Sequence, residues 1–207
     1  MTNNNEPVKD IPDGKAEPEV KKPHSYIGDL YDLVEILGTV TVVVMLLFAF
    51  VIRLNIVDGP SMIDTLHGRD TLLVSDLFYE PKAGDIVVIH KINASPYDKP
   101  IVKRVIATGG QTVDIDFSTW TLTVDGKEVD EPYRNIDTSY PTLTADYAFP
   151  ITLDDDQVFV LGDNRNCSAD SRTNEINLVD KRCIVGRALV RIFPFSGFTV
   201  FGSPYAD

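Results

Sequence analysis

Three stretches of the 207-residue chain carry residue types that could do chemistry. In Asp58-Gly59-Pro60-Ser61-Met62-Ile63-Asp64-Thr65-Leu66 a serine directly follows two strong turn formers. Gly59 allows backbone angles that a Cβ would forbid, and Met62 and Leu66 add apolar surface around the hydroxyl. A serine at such a bend is either a nucleophile or a residue that caps and solvates the turn. Lys103 is set among Ile101, Val102, Val105 and Ile106. Side chains alternate along a strand, so Lys103 shares a face with Ile101 and Val105. It is then either a wet edge residue or a buried amine with a lowered pKa. A neutral amine can take a proton from a serine. The third stretch, Gly162 to Arg172, packs aspartates, asparagines, arginines and serines behind one glycine, as a bracing network would or as a solvated turn would.

These residues need elements to position them. From Thr71 onward, short runs rich in β-branched residues alternate with turn signals. Strands are predicted at Thr71–Val74, Asp85–Ile89, Ile101–Ile106, Thr112–Asp116, Thr119–Val124, Val158–Leu161 and Ile184–Phe193. Asp125-Gly126 marks a two-residue hairpin. Residues 134–150 lack periodicity and read as a long excursion loop. No alternation of strand and helix appears, so the expectation is mainly β: an antiparallel, curled sheet carrying the chemistry, on one amino-terminal transmembrane helix.

That helix is predicted over residues 33–54. Ile36 to Ile52 holds no charged residue, and the stretch approaches the roughly 20 residues that cross a bilayer. A cleaved secretory signal fits poorly, because the apolar run starts far in and no small-x-small site follows it. Residues 1–32 are polar, with few large apolar residues before Tyr26, and are expected to be a disordered tail. Lys21 and Lys22 before the span place the amino end in the cytoplasm, and residues 55–207 outside it, in a single-pass plasma-membrane topology.

The net charge of −12 argues against a nucleic-acid surface. Cys167 and Cys183 have no zinc-ligand spacing, and His24, His67 and His90 are not paired, so no metal site is expected. An extracytoplasmic compartment permits a Cys167–Cys183 bridge, whereas a strand-borne cysteine at 183 is more often a small buried apolar residue.

Taken together, the stretches resemble the bacterial type I signal peptidases, membrane-anchored Ser-Lys endopeptidases. The order is the family's: an anchor, GPSMIDTL, KAGDIVV, the KRVI strand, EPY, the GDNR-x-x-S-x-DSR box and VGR. Asp64 stands where the family usually has proline, so the turn after the serine is less rigid. The resemblance implies Ser61 as nucleophile and Lys103 as general base. It implies Ser168 as the serine that hydrogen-bonds and orients the amine, and Arg104, Asp163, Asp170 and Arg172 as ion-paired supports. Gly59 replaces the oxyanion-binding serine of some members, which leaves backbone N–H groups, chiefly that of Ser61, for the oxyanion. Val57, Met62, Leu66, Ile101 and Val102 are expected to line the substrate pockets beside Gly59.

The implied substrates are signal-peptide-bearing preproteins with small residues at −1 and −3, met in the same lipid bilayer, with no cofactor. The single anchor and short excursion loop look like Gram-positive members. A self-cleaving repressor-type Ser-Lys protease would need an amino-terminal DNA-binding domain in place of residues 1–54. A silent binding domain would have no reason to keep the serine, the lysine and the Ser168 loop together. Nothing in the sequence sets the oligomeric state.

Overall fold

The computed structural model describes residues 26–91, 99–137, 139 and 145–202. Of the tail expected at residues 1–32, residues 1–25 lie outside them, and residues 26–32 are helical instead. The chain divides into two compact units, Met1–Val42 and Val43–Asp207.

One α-helix, α1, spans Tyr26–Phe50. Tyr26–Ala49 has a mean hydropathy of 2.1 and is long and apolar enough to cross a membrane. Its charges, Asp29, Asp32 and Glu35, fall within the first ten residues, and none follows to Phe50. A helix that is apolar all round has no polar face to turn toward water. The expected span of residues 33–54 is thereby corrected at both ends. The helix begins seven residues earlier, and Arg53 and Leu54 belong to the first strand, where β-branched neighbours and cross-strand partners replace the helical ladder.

Among the described residues the remaining elements are two 3-10 turns, Lys181–Cys183 and Phe195–Gly197, and the strands β1 (Arg53–Ile56), β2 (Thr71–Ser75), β3 (Ile86–Ile89), β4 (Ile101–Thr108), β5 (Thr112–Asp116), β6 (Thr121–Val124), β7 (Lys127–Glu128), β8 (Ile151–Thr152), β9 (Gln157–Leu161), β10 (Val179–Asp180), β11 (Ile184–Phe193) and β12 (Thr199–Val200). One sheet runs β1-β2-β11-β3-β4-β9-β10 with β12 beside β11, and a second runs β7-β6-β5-β8. Every strand pair is antiparallel. β11 pairs with β3 through Ile184–Arg187 and with β2 through Arg187–Phe193, with register shifts along both pairings. Another shift lies between Val105 and Ala107, where β4 meets β9. Such bulges bend a strand and strengthen its twist, which gives the expected curl a local cause.

The apolar runs are continuous because the middle of the first sheet is covered on both faces. Ile86 and Val88 point into a core with Val57, Met62, Leu66, Leu72, Val74, Val102 and Ala188. Val87 and Ile89, on the opposite face, pack with Val105, Val158, Val160, Ile176 and Val179. A third core joins the two sheets' contributions through Ile106, Val113, Ile115, Leu122, Leu153, Phe159 and Leu161. The Asp125-Gly126 hairpin forms as expected between β6 and β7, with both residues at positive φ. Strands β1, β8, β10 and β12 are two to four residues long, too short for a periodic signal.

Candidate active site

Gly59 has φ +88°, the left-handed region that a glycine enters without cost, and Pro60 follows it. The chain then winds through a turn in which Leu66 N–H donates to Met62 O at 2.8 Å. Met62 and Leu66 are thus one helical turn apart and share a face, which is fully buried in the core. Ser61 faces the other way and is half-buried.

Lys103 enters from β4. The strand is central, paired with β3 on one side and β9 on the other, so the wet-edge alternative does not hold. Lys103 pairs with Val87 and is 3% exposed. Its Nζ donates to Ser61 Oγ at 2.9 Å and to Val102 O at 3.0 Å. Burial pushes the Lys103 amine down to about 8; Asp170 and Asp163 oppose this and Arg172 assists it. A buried, partly neutral amine in hydrogen-bond reach of a serine hydroxyl can act as its base.

The loop after β9 supplies the bracing. Arg104 forks onto Asp163, with Nε 2.8 Å from Oδ1 and Nη2 2.7 Å from Oδ2, and its guanidinium lies 3.8 Å from the Tyr133 ring centroid. Thr65 Oγ1 donates to the same carboxylate at 2.5 Å, which ties the Ser61 turn to the pair. Arg172 forks onto Asp170 at 2.8 and 2.9 Å. Burial pushes the Asp170 carboxyl up, but the Arg172 guanidinium and the Gly162 N–H outweigh it and hold the group below its ordinary value. All four of these charged residues are buried.

Ser168 is also buried, yet the hydrogen bond to the Lys103 amine that the family resemblance implies is not made. Its Oγ has no partner in hydrogen-bond geometry among the described residues. It lies near the Asp170 carboxylate, which its dipole helps hold ionised. The amine is instead engaged by Ser61 Oγ and Val102 O.

Several contacts lay outside the sequence reading. Asn164 N–H donates to Ser61 O at 3.0 Å, and Asn164 Nδ2 donates to Pro60 O at 3.2 Å, so one residue grips two successive carbonyls at the Ser61 turn. A Cβ on Gly162 would sit 2.1 Å from Ser168 Oγ and 2.6 Å from Ser61 O, so only glycine lets this loop approach the serine turn. Arg165 forms a buried ion pair with Glu131 and donates to Gly162 O. Asn164, Gly162 and Arg165 sit in the sequence box already singled out. Glu131 had only its place beside Pro132-Tyr133 as a signal.

A cleft of about 190 Å³ opens onto Ser61 and Lys103. Val57, Gly59, Ile101 and Val102 line it, joined by Asp58, Pro60, Cys167 and Ala169. Met62 and Leu66 do not: they lie in the core beneath it, which corrects their expected pocket role. Both cysteines are free thiols, Cys167 exposed and Cys183 half-buried. Cys183 closes a single 3-10 turn, Lys181–Cys183, rather than opening β11. Among the described residues no group of three or more His, Cys, Asp or Glu side chains could hold a metal.

A serine hydroxyl in hydrogen-bond reach of a buried amine, on a braced antiparallel scaffold, is an arrangement that can carry out serine-type hydrolysis. Residues 30–193 match the family "Signal peptidase, peptidase S26". The chain is 34% identical to signal peptidase I of Bacillus licheniformis over 177 residues, 82% of this chain and 91% of that one. It is 35% identical to signal peptidase I S of Bacillus subtilis over 75% of this chain and 84% of that one. With the probable signal peptidase I-1 of Synechocystis the identity is 34%, over 82% and 86%. A signal peptidase I structure from Enterococcus faecalis aligns over 53% of this chain and 97% of its own, with 26% identity and a TM-score of 0.42. The chain belongs to the signal peptidase family, peptidase S26. It is a serine endopeptidase.

Proposed function

We propose that the protein is a membrane-anchored endopeptidase that removes amino-terminal signal peptides from secreted preproteins with a Ser61–Lys103 dyad. The observation that carries this is the 2.9 Å contact between a half-buried serine and a 97%-buried lysine at the head of an apolar-walled cleft. The residues before α1 would be the cytoplasmic part, in place of the expected 1–32 tail, α1 the single-pass plasma-membrane anchor in place of the expected 33–54 span, and the β-rich remainder the extracytoplasmic peptidase. Substrate and enzyme would then share one bilayer, which raises their effective concentration.

With the preprotein bound, a neutral Lys103 accepts the Ser61 hydroxyl proton on Nζ as Oγ attacks the scissile carbonyl carbon. The tetrahedral oxyanion meets the Ser61 N–H; Pro60 has none to add, and Gly59 carries no hydroxyl. Collapse breaks the C–N bond, and Nζ returns its proton to the leaving amine, the new amino terminus of the mature protein. Water then gives a proton to Nζ as its oxygen adds to the acyl carbon; collapse breaks the bond to Ser61 Oγ, which takes that proton back from Nζ, and the signal peptide leaves as an acid. Arg104, Asp163, Asp170 and Arg172 hold β4 and the loop in register without touching the reacting atoms. Ser168 packs against Gly162, where the loop approaches the Ser61 turn.

The preprotein binds extended, with main-chain pairing for affinity. Val57, Ile101 and Val102 leave a small apolar space that suits alanine or a residue of that size at −1 and −3. The test is cleavage of a synthetic signal peptide by the full chain in detergent micelles. Wild type should cut after the small-x-small site. Ser61→Ala, Lys103→Ala and Lys103→Arg should each be inactive while folded, since arginine stays protonated. Turnover by Lys103→Arg would remove lysine from the role of base, and equal cutting after leucine at −1 would remove the small-residue preference.

A further inference from the structure

Asp64 lies three residues beyond the nucleophile, in the place where the family pattern has proline. Proline would lock φ there and stiffen the turn without any partner. Asp64 cannot do so, but its carboxylate has a partner that proline could not have. Asn135 Nδ2 donates to Asp64 Oδ2 at 3.1 Å. Asn135 sits within the 134–150 stretch, the part of the chain with no periodic signal, yet its backbone is held. Asn135 N–H donates to Asp163 O at 2.8 Å, and Arg165 N–H donates to Asn135 O at 2.9 Å, an isolated parallel bridge around Asn164. Asp137 and Asn166 extend it: Asp137 N–H donates to Asn166 Oδ1 at 2.7 Å and Asn166 Nδ2 returns a bond to Asp137 O at 3.1 Å.

The same short ribbon therefore touches the nucleophile turn at three places. Asn164 holds the Pro60 and Ser61 carbonyls, Asp163 holds Thr65, and Asn135 holds Asp64. We propose that Asn135 and Asp64 form a positioning clasp that fixes the turn carrying Ser61, in place of the rigidity that proline gives elsewhere in the family. Neither side chain touches the reacting atoms. Each acts by holding the backbone from which Ser61 Oγ is presented to Lys103 Nζ. The proposal rests on the Ser61–Lys103 reading of the site.

A single hydrogen bond of this kind corresponds to about a three- to tenfold effect when it serves only the reactive geometry. The experiment is steady-state cleavage of a synthetic signal peptide by the full chain in detergent micelles, with Asp64→Ala, Asp64→Asn, Asn135→Ala, the Asp64→Ala/Asn135→Ala pair and the Asp64→Pro/Asn135→Ala pair. Asp64→Ala and Asn135→Ala should each lower kcat by about three- to tenfold with KM unchanged. Asp64→Asn keeps an acceptor oxygen and should stay near wild type.

The double alanine variant should lose no more than either single one, since both remove the same bond. Asp64→Pro should restore kcat in the Asn135→Ala background. Wild-type kcat in Asp64→Ala, multiplied losses in the double alanine variant, or a change confined to KM would overturn the clasp. Because Asp64 is exposed, the contrast between its alanine and asparagine variants holds even if Asn135→Ala folds poorly. Failure of the dyad reading itself would look different: Ser61→Ala would still cut, or wild type would not.

Discussion

Replacing Lys103 by methionine should abolish cleavage and stabilise the protein at neutral pH. The amine is buried at 3% exposure and its value is pushed from 10.5 to about 8 by burial. At about 1.36 kcal/mol per pH unit, that gap corresponds to about 3 kcal/mol of cost for folding around the charged amine. The sign follows from proton counts. Between pH 8 and 10.5 the unfolded chain holds the lysine proton and the folded chain has released it, so stability rises with pH across that window. Below pH 8 both states are protonated and the cost is complete.

Methionine has nearly the same length and volume and carries no charge. Against the gain stands the loss of the bonds to Ser61 Oγ and Val102 O, about 1 kcal/mol net. Lys103→Met should therefore be more stable than wild type by about 2 kcal/mol at pH 6–7, an advantage that shrinks by about 3 kcal/mol as pH approaches 10.5. Denaturant unfolding of both proteins in the same micelles, at pH 6.5 and at intervals to about pH 10.5, measures the difference and cancels every other titrating group. A difference independent of pH would refute the depressed amine, and with it the physical basis for Lys103 as a base.

The activity of the wild type carries the same signature. kcat/KM should rise about tenfold per pH unit below pH 8 and level off above it, because only the neutral amine accepts the serine proton; a plateau below pH 6 in a stopped peptide assay would point to another base. Gly162→Ala puts a Cβ 2.1 Å from Ser168 Oγ and 2.6 Å from Ser61 O, and should lower kcat by about a hundredfold through displacement of the serine turn; wild-type kcat in that variant would refute the close approach. Asp163→Ala strands the buried Arg104 guanidinium and should cost about 3–5 kcal/mol in denaturant unfolding. Alkylation after denaturation without reductant should label both Cys167 and Cys183, and a mass two hydrogens short of the dithiol would contradict their free state.

Local chemistry was legible in the sequence. Turn residues at Gly59-Pro60 and Asp125-Gly126, β-branched runs and one long uncharged stretch announced the bend, the hairpin, most of the longer strands and the helix. Each of those signals depends on neighbours within a few residues. Ile184–Phe193 and Thr112–Asp116 end where the pattern ends, because periodicity and flanking turn residues agree there.

What the tertiary structure decided depends on partners far along the chain. Lys103 is a buried amine and not a wet edge because β3 and β9 flank β4, a choice made by strand order. Met62 and Leu66 looked like pocket walls beside a serine; the turn's pitch sends both into the core and leaves Val57, Ile101 and Val102 at the cleft. Ser168 stands in the expected loop without the expected hydrogen bond, since rotamer and packing, not residue type, determine which oxygen meets the amine. Asn135 gave no signal at all. Its neighbours in sequence are irregular loop, and its role appears only where a bridge 29 residues away brings it against Asp64, 71 residues away. Short-range patterning selects the elements, whereas the site is assembled from side chains whose contacts exist only after non-local pairing has closed the loops between them.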